Sequence, residues 1–153
     1  MADILIPLNG HVRVRAWEKQ PDGTEKEVYD KTIKNLVVTA GKQTILKHIG
    51  NITGGGYANS IGVGDSTTAA AAGQTDLQAS SNKYWKVIDA SDRIVLTTTL
   101  YLSVDFGYTE GNYTWNELGL KDNNDVLIAR QIDASPFVKT SAKRAIVEWQ
   151  LSL

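Results

Sequence analysis

Along most of this chain apolar and polar positions alternate with a period of two, the pattern of strands that lie half in a core. Val12, Val14 and Ala16 alternate with Arg13, Arg15 and Trp17, Pro21-Asp22-Gly23 supplies turn chemistry, and Val28 to Ile33 reads as the returning strand of a β-hairpin. The pattern is clearest near the other end, where Ala145, Val147, Trp149, Leu151 and Leu153 alternate with Ile146, Glu148, Gln150 and Ser152. Because the apolar positions run on to Leu153, this last segment is expected to be tied into a sheet.

Between these ends, Ser60 to Gly64 and Tyr84 to Ile88 read as short strands. Arg93 to Leu102 reads as one longer strand with Ile94, Leu96, Leu100 and Leu102 on one face. Tyr113 to Leu120 and Val126 to Ile132 flank Lys121-Asp122-Asn123-Asn124-Asp125, a hairpin signal because Asn tolerates the positive φ of tight turns. A turn centred between Asn123 and Asn124 sets Glu117 opposite Arg130, a pair that would fix register for a few tenths of a kcal/mol. The same register faces Asp122 with Asp125, which favours a four-residue loop.

One segment departs from this period. Val38, Ile45, Leu46 and Ile49 recur at helical spacing, with Thr39 as candidate N-cap and Gly50 as the stop. Gly41 weakens that helix by up to about 1 kcal/mol relative to alanine. Residues 50 to 83 are otherwise rich in Gly, Ser, Thr, Ala, Asn and Gln, and so long an irregular segment is expected to be a loop that contacts a partner. The expected fold is mainly β, an antiparallel β-sandwich or partly closed barrel with one short α-helix over about residues 39–50. Residues 1–153 are read as a single β-rich domain with a short apolar N-terminal arm, residues 1–9.

Composition narrows the chemistry. The chain has 153 residues, enough for a core of its own, and no cysteine, so disulfides, thiolate metal sites and a cysteine nucleophile are all excluded. Sixteen basic and 17 acidic residues give a formal charge of −1 in mixed order, so no basic field exists to hold a phosphate backbone, and nucleic acid is not an expected partner. No apolar run approaches the roughly 20 residues of a membrane span, the first residues lack the pattern of a secretory signal, and a soluble protein without membrane partners is expected. The N-x-T sequons at Asn51 and Asn112 are therefore read as coincidence.

No motif assembles a reactive centre. His11 and His48 stand without a second ligand at the spacing a metal requires, and neither has a carboxylate cluster beside it. Gly54-Gly55-Gly56 and Gly62-Val63-Gly64-Asp65-Ser66-Thr67-Thr68 lack the lysine and the glycine spacing of a phosphate loop, so backbone turning explains them better. No enzymatic activity, catalytic residue, cofactor or metal is expected. Among the aromatic residues, Trp115 and Trp149 fall at core or sheet-face positions, whereas Trp17 lies opposite the apolar face of its strand and is the candidate exposed anchor. Ile4, Leu5, Ile6 and Leu8 complete the candidate interface, as an arm reaching a neighbour or equally as a first strand of the chain's own sheet.

Four segments in order resemble a group of tailed-phage virion proteins. They are Asn35-Leu36-Val37-Val38-Thr39-Ala40-Gly41; Ile61 to Thr68 with Thr75-Asp76-Leu77; Asn116-Glu117-Leu118-Gly119-Leu120 with Leu127-Ile128-Ala129-Arg130; and Lys139-Thr140-Ser141 with Ala145 to Trp149. The chain departs from that group at Leu120, where an aromatic often follows, and at Ala69 to Ala72, which replaces a proline-bearing stretch; the hairpin at residues 10–33 lies outside the resemblance. The resemblance implies a structural protein of the virion, assembled in the host cytoplasm, that binds copies of itself and other phage structural proteins. The leading expectation is a homo-oligomeric capsid decoration protein on the major capsid protein; the alternatives are a tail, baseplate or tail-fibre component and, from another class, a carbohydrate-binding β-sandwich.

Overall fold

The computed structural model describes residues 8–153; Ile4, Leu5 and Ile6 lie outside the described residues. Two antiparallel five-stranded sheets form the expected β-sandwich, and among the described residues each sheet ends in two edge strands. The strands are β1 (Asn9–Lys19), β2 (Glu25–Lys34), β3 (Leu36–Val37), β4 (Ala58–Gly64), β5 (Lys83–Val87), β6 (Arg93–Leu96), β7 (Thr99–Phe106), β8 (Thr114–Asp122), β9 (Leu127–Val138) and β10 (Lys143–Ser152). Helix α1 (Thr39–Ile49) follows β3. Sheet A runs β2-β1-β10-β7-β6 and sheet B runs β3-β9-β8-β4-β5.

Register turns the period of two into layers. Val12, Trp149 and Leu102 lie in one row across sheet A, Val14, Val147 and Val104 in the next, and Ala16, Ala145 and Phe106 in a third. All nine are buried, and they face Ile61, Val63, Leu118 and Leu120 of sheet B in one core. Trp115 joins that core with ring centroids 5.1 Å from Phe106 and 5.2 Å from Phe137, both edge-on, an arrangement worth about 0.5–1.5 kcal/mol per pair beyond area burial. Its indole N–H donates to the Gly111 carbonyl at 2.7 Å. Leu8 packs partly buried against the same core.

Several local expectations are corrected. Val38, not Thr39, is the N-cap of α1, and its side chain makes no capping bond; Gly50 does close the helix. The helix also presents a different face from the one its apolar residues suggest. A Cβ on Gly41 would lie 2.1 Å from the Ile128 carbonyl oxygen, so the helix sits against the β9 backbone where only glycine fits. Gly41 and Thr44 are therefore the buried positions, while Leu46 and Ile49 face outward, Ile49 77 % exposed.

The expected strand Arg93 to Leu102 is a hairpin. Thr97-Thr98 is a two-residue turn in which Thr97 takes φ 54°, an unusual value for a β-branched residue. The turn sets Ile94 and Leu96 opposite Tyr101 and Thr99, and leaves Val95 opposite Leu100 on the inner side. At the other hairpin, β8 and β9 are joined by four residues, and Asp125, not an Asn, takes the positive φ, 62°. Strand β9 continues past Ile132 through Pro136, which falls in the register shift opposite Trp115 to Glu117 of β8 and has no paired residue there, a position at which proline is tolerated.

Candidate interaction surfaces

The outer faces of the two sheets are finished differently. Over sheet B lies the segment 65–82, held by an ion pair that reads in the sequence as a surface contact. Glu117 opposes Ile132, and Arg130 opposes Gly119, so the two side chains meet diagonally; the contact is 2.7 Å and both are 0 % exposed. The Glu117 carboxylate also accepts from the Gln78 N–H at 2.9 Å and the Ala79 N–H at 2.7 Å. Arg130 donates in turn to the Gln74 side chain at 2.9 Å and the Thr68 carbonyl at 2.8 Å. Charges taken out of water are tolerated when the remaining lone pairs and protons find partners, and here those partners all belong to the loop.

Glycines make room for this strap. A Cβ at Gly64 would lie 2.4 Å from the Glu117 carboxylate, so glycine there clears space for the acid. Gly62 and Gly119 face each other across β4 and β8, and the Trp85 indole lies on both; a Cβ would meet it at 2.5 Å and 2.8 Å. Buried Leu77 closes over Gly119, and the Lys121 ammonium stands 4.4 Å from the Trp85 ring centroid. Of the glycines in the Gly62 to Thr68 stretch, Gly62 is thus the seat of an aromatic ring and Gly64 makes room for the buried acid.

Two further polar side chains clamp loops. Asp122 accepts from Thr44 at 2.6 Å and from the Asn124 and Val126 N–H groups at 2.8 and 2.9 Å, and Thr44 accepts from the Gly56 N–H, so helix, post-helix loop and β8–β9 turn share one network. Buried Lys139 donates to the Gly107 carbonyl and the Asn112 side chain at 2.8 and 2.9 Å. Burial holds its ammonium below the usual lysine pKa, against the opposing charges of Glu110 and Asp105.

The outer face of sheet A is open and laced with ion pairs, Arg13 to Asp30, Arg15 to Glu27, and Arg144 to Glu25 and Asp105. Trp17 is half-buried there, with the guanidiniums of Arg15 and Arg144 lying 4.8 and 4.5 Å from its ring centroid. A recess of about 250 Å³ beside it is lined by Arg13, Arg15, Ser103, Ile146 and Glu148. The aromatic anchor of the sequence reading is engaged by its own strand neighbours.

A second recess of about 250 Å³ is largely apolar and opens between α1 and sheet A, where Ile45, Ile49, Tyr57, Leu100 and Leu151 line it. Beyond it lies β6, an edge of sheet A with no further strand beside it among the described residues, with Ile94, Val95 and Leu96 exposed by 49, 67 and 59 %. Sequence reasoning misses this surface because it takes β6 and β7 as one strand with a covered face. The only signal for the break is a Thr-Thr pair, which is not turn chemistry.

Among the described residues, no three His, Cys, Asp or Glu side chains are grouped so as to hold a metal, and no helix is long and apolar enough to cross a membrane. No family model, curated protein or solved structure matches the chain.

Proposed function

We propose that this protein is a structural component of a tailed-phage virion, a capsid decoration protein that binds the major capsid protein and further copies of itself. The observation that carries the reading is the free apolar edge at β6 with the recess beside it, because an exposed, unpaired, apolar edge strand is a template for another chain. The resemblance of residues 35–153 to virion proteins supplies the particle. The buried polar side chains serve the same reading: Glu117, Arg130, Asp122 and Lys139 bond loops and turns of their own chain, which suits a scaffold built to hold a rigid surface.

Cross-linking in intact virions tests this. The expected result is a stoichiometric adduct with the major capsid protein; recovery from purified tails alone would move the protein to the tail, baseplate or fibre reading. The carbohydrate reading loses its clearest platform with Trp17 engaged by two guanidiniums, and a glycan array is expected to show no binding.

A further inference from the structure

We propose that β6 is the seam of a symmetric dimer, in which the strand pairs antiparallel with β6 of a second copy about a two-fold axis at Val95. The inference rests on the self-association in the reading above and names the surface and the register that carry it.

Edge strands are commonly blunted by charge or by shortness, and three of the four edges among the described residues follow that rule. Strand β2 carries Glu25, Lys26, Glu27, Asp30, Lys31 and Lys34, strand β5 carries Lys83 and Lys86, and β3 is two residues long. Strand β6 has one charged residue, Arg93, whose guanidinium is turned back onto the Ala58 and Ile88 carbonyls of its own chain. Ile94, Val95 and Leu96 are thus exposed with no charge among them.

Backbone geometry supplies the seam with donors and acceptors. A two-residue hairpin closes on a hydrogen-bonded pair, here Leu96 with Thr99, and the alternation of an antiparallel ladder makes Ile94 with Tyr101 the next. The N–H and C=O of Val95 therefore point away from β7, towards the open side. Two copies related by an axis at Val95 exchange two N–H to C=O bonds between their Val95 residues.

Faces and charges select this register. Opposed residues in an antiparallel pair point to the same side of the sheet, so a slip of one residue would set inner Val95 against outer Ile94. Centring on Arg93 would oppose like charges, and centring on Ile94 would set Arg93 against Val95 and Asp92 against Leu96. Centring on Leu96 would spend Ile94 and Val95 on the turn threonines. The Val95 axis alone matches apolar with apolar, Ile94 with Leu96 and Val95 with itself, and sets Arg93 against uncharged Thr97. The contact is isologous and continues sheet A into its copy.

Area sets the strength. Three side chains exposed by half to two-thirds make an apolar patch on the order of 300 Å², whereas a standard stable interface covers about 800 Å² per partner. The seam is accordingly weak by itself and forms where copies are concentrated, as they would be when held side by side on one particle.

The test uses the full chain. Sedimentation velocity over a concentration series reaching the millimolar range is expected to show monomer passing to dimer. Val95→Lys and Val95→Asp proteins are each expected to stay monomeric, because the altered side chain meets its own like charge across the axis. An equimolar mixture of the two is expected to form a heterodimer, which neither misfolding nor a contact elsewhere would produce. Since the chain has no cysteine, a Val95→Cys protein gives a second readout. Opposed Cα atoms of a hydrogen-bonded pair lie about 5.5 Å apart, within disulfide reach, so mild oxidation is expected to yield a disulfide-linked dimer. Unaltered protein that stays monomeric throughout, association that survives Val95→Lys, a mixture that stays monomeric, or no disulfide-linked dimer would each overturn the inference. Virions carrying the Val95→Lys protein separate the two readings: capsid cross-links retained there leave capsid binding standing whatever the fate of the seam.

Discussion

Between residues 65 and 82 the only apolar side chain larger than alanine is Leu77, yet the segment is strapped to sheet B; between residues 93 and 96 three of four side chains are Ile, Val or Leu, yet they stand in solvent. The difference lies in what the neighbouring strands offer. The strap meets a buried carboxylate and a buried guanidinium whose remaining bonding capacity its backbone fills, together with a glycine floor and an indole. The edge meets no further strand among the described residues, because sheet A ends there at β6. Polar composition therefore does not leave the first segment detached from the sheet, and apolar composition does not make the second part of the core.

The sharpest way to break this contrast is to remove one half of the clamp. Glu117→Leu leaves the Arg130 charge buried without its partner and orphans the Gln78 and Ala79 N–H groups. Loss of one partner of a buried pair typically costs about 3–5 kcal/mol. A denaturant titration is expected to show that loss, and amide exchange at Gln78 and Ala79 should accelerate more than exchange at the β10 amides. Unchanged protection at those two amides would mean that the strap is held by something else.

How far the sequence foretells these regions follows from the kind of signal each carries. Strands β1 and β10 are legible because one face is buried and the other wet, so Val12, Val14, Val147 and Trp149 write the period of two directly. The clamp is legible only as a pairing. Glu117 and Arg130 can be placed on adjacent strands, but their burial depends on residues 65–82 folding back over them, a long-range event with no local pattern. The helix face is misread because a close approach at Gly41 outweighs the hydrophobicity of Leu46 and Ile49. The free edge is missed because Thr97 adopts a backbone conformation its type disfavours. Of the candidate interface, Leu8 lies against the core and Trp17 among cations, while Ile4, Leu5 and Ile6 lie outside the described residues.

A smaller perturbation tests the floor under the strap. Gly62→Ala puts a methyl where the Trp85 ring lies, and overpacking of this kind costs about 1–3 kcal/mol. The same substitution in a Trp85→Leu background should cost less, because the flat ring that requires the glycine is gone. Equal penalties in the two backgrounds, read from urea midpoints, would show that the glycine serves the backbone alone.

Lys139 gives a pH-dependent version of the clamp. Its folded pKa lies below the usual lysine value because of burial, so the unfolded chain binds that proton more tightly. Stability should therefore rise with pH from the folded value up to the unfolded one near 10.5, and level off above it. The tyrosines act oppositely, since burial raises Tyr29 and Tyr113, but they are common to a Lys139→Met variant and cancel in the difference. The stability gap between the two proteins is expected to shift in favour of the unaltered chain as pH rises towards the unfolded lysine value near 10.5; a constant gap would remove the desolvation argument.

At the free edge the expected effect is smallest, and its smallness is the point. Val95→Thr keeps the β-branched shape and alters a side chain two-thirds exposed, so the change in unfolding free energy should stay within about 0.5 kcal/mol. The measurement must be made at dilution, because any association through this edge adds a concentration-dependent term to apparent stability. If Val95→Thr instead destabilised the dilute monomer by as much as a core truncation, β6 would have to be packed against part of its own chain, and the contrast with the strap would collapse.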